Sequence, residues 1–277
     1  MIMKNEVFKI LFIGDIVGRP GRRTASHFIP LIKQKEGIDL VIANGENLAA
    51  GVGVTPEKYE EMIAAGVDYF TSGNHVWDKK DIIALIKDGS VKILRPANYP
   101  SGTPGEGAVT IKVEGQKVTI INLQGRVFIP ILLDDPFRIG QEIVDATDKD
   151  SIIIVDIHAE ATSEKVALGH YLDGKVAAVL GTHTHVQTAD EWILPDGTAY
   201  ISDVGMCGPK DSVIGVAKEI IIKQFLTQTP QSHKVALGET IFNAVVLEIS
   251  KKTKKVLKIT RINETLTNPA KGGEENE

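Results

Sequence analysis

Four of the seven histidines stand in three short polar clusters: Asn74-His75, His158 and His183-Thr184-His185. Each cluster follows an apolar run rich in β-branched residues. Two acidic clusters repeat the arrangement, Asp15 after Lys9-Ile-Leu-Phe-Ile-Gly14 and Glu46-Asn47 after Ile38-Asp-Leu-Val-Ile-Ala-Asn44. Singly, each has a bland reading. A Gly-Asp step often begins a turn, a lone histidine is more often a hydrogen-bonded core residue, and paired histidines are often only solvated. Imidazoles, carboxylates and amides at the ends of five successive apolar strands share no packing reason. They are what a metal cage at the carboxyl edge of a sheet requires.

The donor types narrow the metal. Imidazole mixed with carboxylate and amide oxygen suits Fe, Mn, Zn or Co better than Ca or Mg, which prefer all-oxygen shells. One cysteine, Cys207, is too few for a structural zinc or iron–sulfur site and excludes an internal disulfide. Seven or eight donors exceed the needs of one ion and fit two, about 3.5–4 Å apart and sharing a bridging carboxylate. The two-residue spacing of His183 and His185 puts both rings on one side of a strand; Gly181 and the threonines also suit a tight loop.

The elements that must position these groups follow from periodicity. Strand–helix alternation to about residue 94 predicts parallel strands with helical crossovers: a strand at 8–14, an amphipathic helix with Ala25, Phe28, Ile29 and Ile32 on one face, a helix from Pro56 to Ala65, a strand at 68–72 and a helix from Asp78 to Lys87. A hairpin is predicted at 108–113 and 117–122, a helix near 137–147, and strands at 151–157, 177–180, 199–202, 241–249 and 256–262. One domain over 1–267 is expected, with a small excursion at about 123–150 and a disordered polar tail at 268–277.

Composition excludes other classes. A hydrophobic share of 43% and a charged share of 24% are those of a globular chain with a sizeable core. The formal charge of −5 argues against broad nucleic-acid binding, which needs clustered cations. No apolar run reaches the ~20 residues that span a membrane. The segment Met1 to Phe8 lacks the order of a signal peptide, so a cytoplasmic location is expected.

Gly14-Asp15, Gly45-Glu46-Asn47, Gly73-Asn74-His75, His158 and Gly181-Thr-His183-Thr-His185 resemble, in order and spacing, the five motifs of the calcineurin-like metallophosphoesterases. Two departures are informative. Val17 stands where the first motif commonly has histidine, and Gly-Glu-Asn replaces Gly-Asp-x-x-Asp-Arg in the second. Both are those of the YmdB-like subfamily, as are Asn-Gly-Glu-Asn, Ser-Gly-Asn-His-Val-Trp-Asp and Thr-His-Thr-His-Val-Gln-Thr. The resemblance implies a four-layer α/β/β/α sandwich and 2′,3′-cyclic nucleotide phosphodiesterase activity. It implies Asp15, Glu46, Asn47 and His185 at one ion, and Glu46, Asn74, His158 and His183 at the other, with Glu46 bridging. His75 would be the general acid. With an amide at Asn47 in place of an imidazole, iron is the expected metal and manganese the alternative.

The expected reaction is hydrolysis of a small phosphodiester by a metal-activated hydroxide, with His75 protonating the leaving oxygen. The rivals are a phosphomonoesterase or protein phosphatase with the same metals, and a regulatory metal-binding scaffold with vestigial activity. Homo-oligomerisation is compatible with each. Arg126, Phe128 and Phe137 could touch a substrate or serve packing. Gly18-Arg-Pro-Gly-Arg-Arg23 reads as the start of a helix, not a phosphate loop. The lysines from 251 to 258 read as a solvated turn, and Cys207 as a small buried residue.

Overall fold

The computed structural model describes residues 6–267; the tail expected at 268–277 lies outside the described residues. The first half runs β1 (Val7–Ile13), β2 (Asp15–Ile16), α1 (Gly18–Glu36), β3 (Leu40–Asn44), α2 (Pro56–Ala64), β4 (Tyr69–Thr71) and α3 (Asp81–Asp88). Next come β5 (Ala108–Val113), β6 (Gln116–Gln124), α4 (Pro136–Ala146), β7 (Ser151–His158), α5 (Thr162–Tyr171) and β8 (Ala178–Thr182). The chain continues through β9 (Trp192–Ile193), β10 (Ala199–Ile201), β11 (Met206–Pro209) and α6 (Lys218–Thr227) to β12 (Thr240–Ser250) and β13 (Val256–Leu266).

Two sheets form. In the first, β1, β3 and β4 are parallel, β12 runs antiparallel to β1, and β13 covers the other edge of β12. In the second, β6, β7, β8 and β10 are parallel, with β5 and β9 antiparallel at the edges. Alternation sorts the side chains into layers. Phe8, Ile10, Phe12, Leu40 and Ile42 of the first sheet meet Val118, Ile120, Ile152, Ile154 and Leu180 of the second, forming the central core. The opposite face of the first sheet, with Leu11, Ile13, Val41 and Ala43, packs under α1, α2 and α3 through Ile29, Met62 and Ile82. Val155, Ile157 and Val179 on the far side of the second sheet pack under α4 and α5 through Val144 and Leu168. This is the expected α/β/β/α sandwich.

The site arises where this alternation changes character. Along β7, Ile152 and Ile154 share a face with Asp156 and His158; along β3, Leu40 and Ile42 share one with Asn44; along β6, Val118 and Ile120 share one with Asn122. The space between the sheets is therefore apolar through most of its depth and polar at the carboxyl edge, and Asn44, Asn122, Asp156 and His158 are all fully buried.

Some elements differ from expectation. The helix expected from Asp78 begins at Asp81, because residues 74–78 turn back and the Asp78 N–H donates to the His75 carbonyl. Helix α5 escaped notice because its buried face includes Glu164 and Lys165, so it carries no apolar stripe. Helix α6 buries none of its residues, and strands β2, β9 and β11 are only two to four residues long. Within 123–150, β6 continues to Gln124 and α4 packs Phe137, Ile139 and Ile143 against the outer core, leaving 125–135 without regular structure. Lys251, Lys252, Lys254 and Lys255 make the turn between β12 and β13, while Lys258, the last of the run, lies within β13 and pairs with Glu248.

Candidate metal centre

Backbone geometry aims each group. At Gly14 the first strand leaves β12: the Gly14 N–H still donates to the Asn243 carbonyl, while the Asp15 N–H donates to the Gly205 carbonyl at 3.0 Å. Short β11 pairs with β2 on one side and β12 on the other, and Gly205, just before it, passes so close that a Cβ on Gly14 would overlap its carbonyl. The split turns Asp15 into the cleft. At the end of β4, Gly73 serves the same purpose, since a side chain there would collide with the His158 ring. His183 and His185 lie beyond the end of β8, at φ 101° and 63°. Strand alternation does not aim them; a loop held in left-handed conformations does, and such strain in non-glycine residues gathers at functional sites. Asp203 pins that loop by accepting the Thr184 N–H at 3.0 Å and hydroxyl at 2.8 Å, and is itself ion-paired with buried Lys165 at 2.7 Å.

The donors converge in two groups. In the first, His158 Nε2 lies 3.0 Å from Glu46 Oε1, 3.2 Å from Asn74 Oδ1 and 3.0 Å from His183 Nδ1. Glu46, His158 and His183 each place a ligand atom within 4.8 Å of the others, as a metal ion requires. In the second, Asp15 Oδ1 lies 3.7 Å from His185 Nε2, and the Asn47 amide nitrogen lies 3.1 Å from the same Nε2. Rotating that amide by half a turn would present its oxygen instead. Asp15 Oδ1 is also 4.0 Å from His158 Nδ1, which brings the groups together. Outer partners orient the rings: His185 Nδ1 meets the Ile214 carbonyl at 2.8 Å, and His158 Nδ1 meets Thr182 Oγ1 at 2.9 Å, whose hydroxyl donates to Asp156 at 2.8 Å. Each bond leaves Nε2 as the ring's ligand atom.

The electrostatics favour a cation. Asp15 and Glu46 are both buried, and Asp15 Oδ1 has no hydrogen-bond partner among the described residues. Burial raises the Asp15 pKa. Burial also opposes ionisation of Glu46, yet His158 outweighs it and holds that carboxyl at about 2. Desolvation likewise disfavours imidazolium at His158, but Glu46, Asp15 and Asp156 push it up to about 9. His183, desolvated and beside His158, falls to about 3, and burial lifts Asp156 to about 7. A single proton on His158 is thus the local counter-charge to a buried set of carboxylates. An uncompensated buried charge costs several kcal/mol, so an orphaned carboxylate oxygen facing an imidazole lone pair fits a cation well.

His75 stands apart from the donors. Its backbone N–H, not its ring, reaches the cluster, donating to Glu46 Oε2 at 3.0 Å. The ring is 36% exposed and bonds Asp78 Oδ2 through Nδ1 at 2.7 Å, leaving Nε2 directed elsewhere. Sequence reasoning did not single out Asp78, Thr182 or Asp203. Asp78 closes the Asn-His-Val-Trp-Asp string, so its spacing from His75 was the available signal. Arg126 is bonded to Asp135 at 3.1 Å, Phe137 meets Tyr171 edge to face, and Phe128 is exposed. Val17 is buried against Gly215. Cys207 is buried, donates its S–H to the Gly21 carbonyl and has its thiol pKa pushed up by desolvation, the opposite of an activated nucleophile.

Comparison with known proteins identifies the family. The sequence profile of the YmdB-like proteins matches residues 11–262. A Bacillus subtilis protein named 2′,3′-cyclic-nucleotide 2′-phosphodiesterase is 51% identical over 92% of this chain and 96% of its own. A putative phosphatase/phosphodiesterase of Mycoplasma genitalium is 40% identical over 92% of each. Among solved structures, a novel phosphatase from Mycoplasma pneumoniae superposes with TM-score 0.90 at 38% identity, covering 95% of both chains. A hypothetical protein from Thermus thermophilus superposes with TM-score 0.88 at 43% identity, covering 93% of this chain and 99% of that one. A putative 5′-nucleotidase of Staphylococcus aureus shares only the fold, with TM-score 0.61 at 14% identity over 97% of this chain and 56% of its own. With a profile spanning nearly the whole chain and relatives this similar over their full length, the chain belongs to the YmdB-like family of metallophosphoesterases.

Proposed function

We propose that this chain is a two-metal phosphodiesterase that hydrolyses 2′,3′-cyclic nucleotides and tolerates other small phosphodiesters. The observation that carries the reading is the convergence of Asp15, Glu46, Asn74, His158, His183 and His185 in two adjoining groups, with His75 beside them and outside the donor set. Asp15, Glu46, Asn47 and His185 would hold one ion and Glu46, Asn74, His158 and His183 the other. Iron is the expected occupant and manganese the alternative, because the amide of Asn47 makes the first site oxygen-rich. Two bound cations would offset the phosphate charge and acidify a water molecule there. Water gives up a proton to solvent as its oxygen bonds to phosphorus in line, the bond from phosphorus to one ribose oxygen breaks, and a proton on His75 Nε2 passes to that oxygen. Asp78 keeps the ring in place by accepting its Nδ1–H. The 2′,3′-cyclic preference rests on the activity for which the Bacillus subtilis relative is named.

A phosphomonoesterase reading draws support from the phosphatase names of two relatives. It is weakened by the absence of an arginine in the Gly45-Glu46-Asn47 motif, where a guanidinium would clamp a dianionic phosphate. We take residues 6–267 as one functional unit. No helix among the described residues is long and apolar enough to cross a membrane. The reading is tested by comparing turnover of a 2′,3′-cyclic nucleotide, a nitrophenyl phosphodiester and a nitrophenyl phosphomonoester, with and without added Mn²⁺. Metal-dependent hydrolysis of the diesters supports it; hydrolysis of the monoester alone overturns it.

A further inference from the structure

The polar edge of β7 extends one step past the strand. Ile152, Ile154, Asp156 and His158 share the face between the sheets, while Ala159, the next residue, is fully buried in the outer core. Alternation therefore returns Glu160 to the side of His158. Its backbone has little freedom. The Ala159 N–H donates to the Thr182 carbonyl at 3.4 Å, and the Ala161 carbonyl accepts the Glu164 and Lys165 N–H groups in the first turn of α5. Glu160 is thus held between two buried alanines with its carboxylate at the rim of the site, where Oε2 lies 3.1 Å from His183 Nε2.

This contact reverses the pattern of the other two rings. His158 and His185 turn Nδ1 to an outer partner, Thr182 Oγ1 at 2.9 Å and the Ile214 carbonyl at 2.8 Å, and keep Nε2 for the site. His183 turns Nδ1 inward, 3.0 Å from His158 Nε2, and Nε2 outward, within hydrogen-bonding distance of Glu160. A neutral imidazole carries one N–H, so a proton on Nε2 facing the carboxylate leaves the Nδ1 lone pair for a metal. The ring needs such an anchor, because His183 lies beyond the end of β8 at φ 101°, where strand pairing no longer fixes the direction of a side chain.

Charge gives the contact a second role. Of the residues assigned to the ion at Glu46, Asn74, His158 and His183, one is a carboxylate, and Glu46 is shared with the other ion. A carboxylate beside the outer nitrogen of a ligating imidazole fixes its tautomer and raises its basicity. Resting on the two-metal reading above, we propose that Glu160 is a positioning residue for that ion. It accepts the His183 Nε2–H, sets the tautomer that offers Nδ1, and strengthens the imidazole as a ligand. The His183 and Glu160 side chains are 22% and 49% exposed, and a contact so open to water adds little to folding, so substitutions at Glu160 leave the fold intact.

The test compares the full chain with Glu160→Ala and Glu160→Gln. Chelator competition during Mn²⁺ loading should resolve two dissociation constants in the unaltered protein. Glu160→Ala should weaken one of them ~10–100-fold and leave the other unchanged. Glu160→Gln, whose amide oxygen still accepts an N–H, should recover part of that loss. Proton NMR of the Co²⁺-loaded protein supplies a second readout, since three ligating imidazoles give three paramagnetically shifted, exchangeable N–H signals. One of them should vanish into exchange with water in Glu160→Ala and persist in Glu160→Gln. Equal metal affinities in all three proteins, equal weakening of both ions, or three N–H signals retained in Glu160→Ala would overturn the role. Unaltered protein that takes up fewer than two ions per chain at saturating Mn²⁺ removes the two-metal reading itself, and the role of Glu160 with it.

Discussion

Replacing His75 by alanine separates proton donation from metal binding more cleanly than any other single change at this site. The structure says why. Glu46 Oε2 is held by the His75 backbone N–H at 3.0 Å, a bond that His75→Ala retains. What the variant loses is the imidazole and its 2.7 Å contact with Asp78, both at the rim of the site. The carboxylates and imidazoles of the donor set keep their partners, so metal content should match that of the unaltered protein. A general acid contributes ~10²–10⁴-fold, or ~2.7–5.4 kcal/mol of barrier. The full loss should appear on a 2′,3′-cyclic nucleotide, whose leaving alkoxide is strongly basic. A nitrophenyl diester, whose leaving group departs without a proton, should lose far less. Steady-state kinetics on both substrates, with elemental analysis of the same preparation, decide the matter. Equal losses on the two substrates, or a missing ion, would refute the assignment and make His75 a structural or ligand residue.

Other outcomes follow from the same geometry. Glu46→Gln removes the one carboxylate assigned to both ions, so the folded variant should hold fewer than two metals per chain by elemental analysis; a full pair would contradict the bridge. Thr182→Val keeps the side-chain shape but deletes the partner of His158 Nδ1 and Asp156, and metal affinity should drop ~10–100-fold in chelator competition. Metal uptake should also depend on pH. In metal-free protein His158 is pushed up to about 9, so a proton must leave Nε2 before an ion can bind. Affinity for added Mn²⁺ should therefore rise from pH 6.5 towards about 9 and release a proton, measurable by calorimetry in buffers of different ionisation enthalpy; a flat profile contradicts that coupling.

The order of strands and the chemistry at their tips were legible in the sequence, because side-chain direction along a strand repeats every two residues. Ile152, Ile154, Asp156 and His158 declare by spacing alone that one face is apolar at its base and polar at its end, and Leu40, Ile42 and Asn44 say the same for a neighbouring sheet. Asp15, Glu46, Asn74 and His158 could be nominated on that basis. The close approach of these tips, and the split at Gly14 that turns Asp15 inward, belong to the folded chain. For His183 and His185 the sequence left a strand face and a tight loop both open, and the fold chooses the loop: left-handed backbone past the strand end directs them, stabilised by Asp203 some twenty residues later and by the Lys165 pair beneath it. Helix α5 was invisible for a related reason, since the Glu164 and Lys165 on its buried face satisfy distant groups and break the apolar stripe that marks a helix. Local periodicity records which face a residue occupies. Which buried partner compensates its charge is decided only when segments distant in sequence are packed together, because that energy exists only in the contact between them.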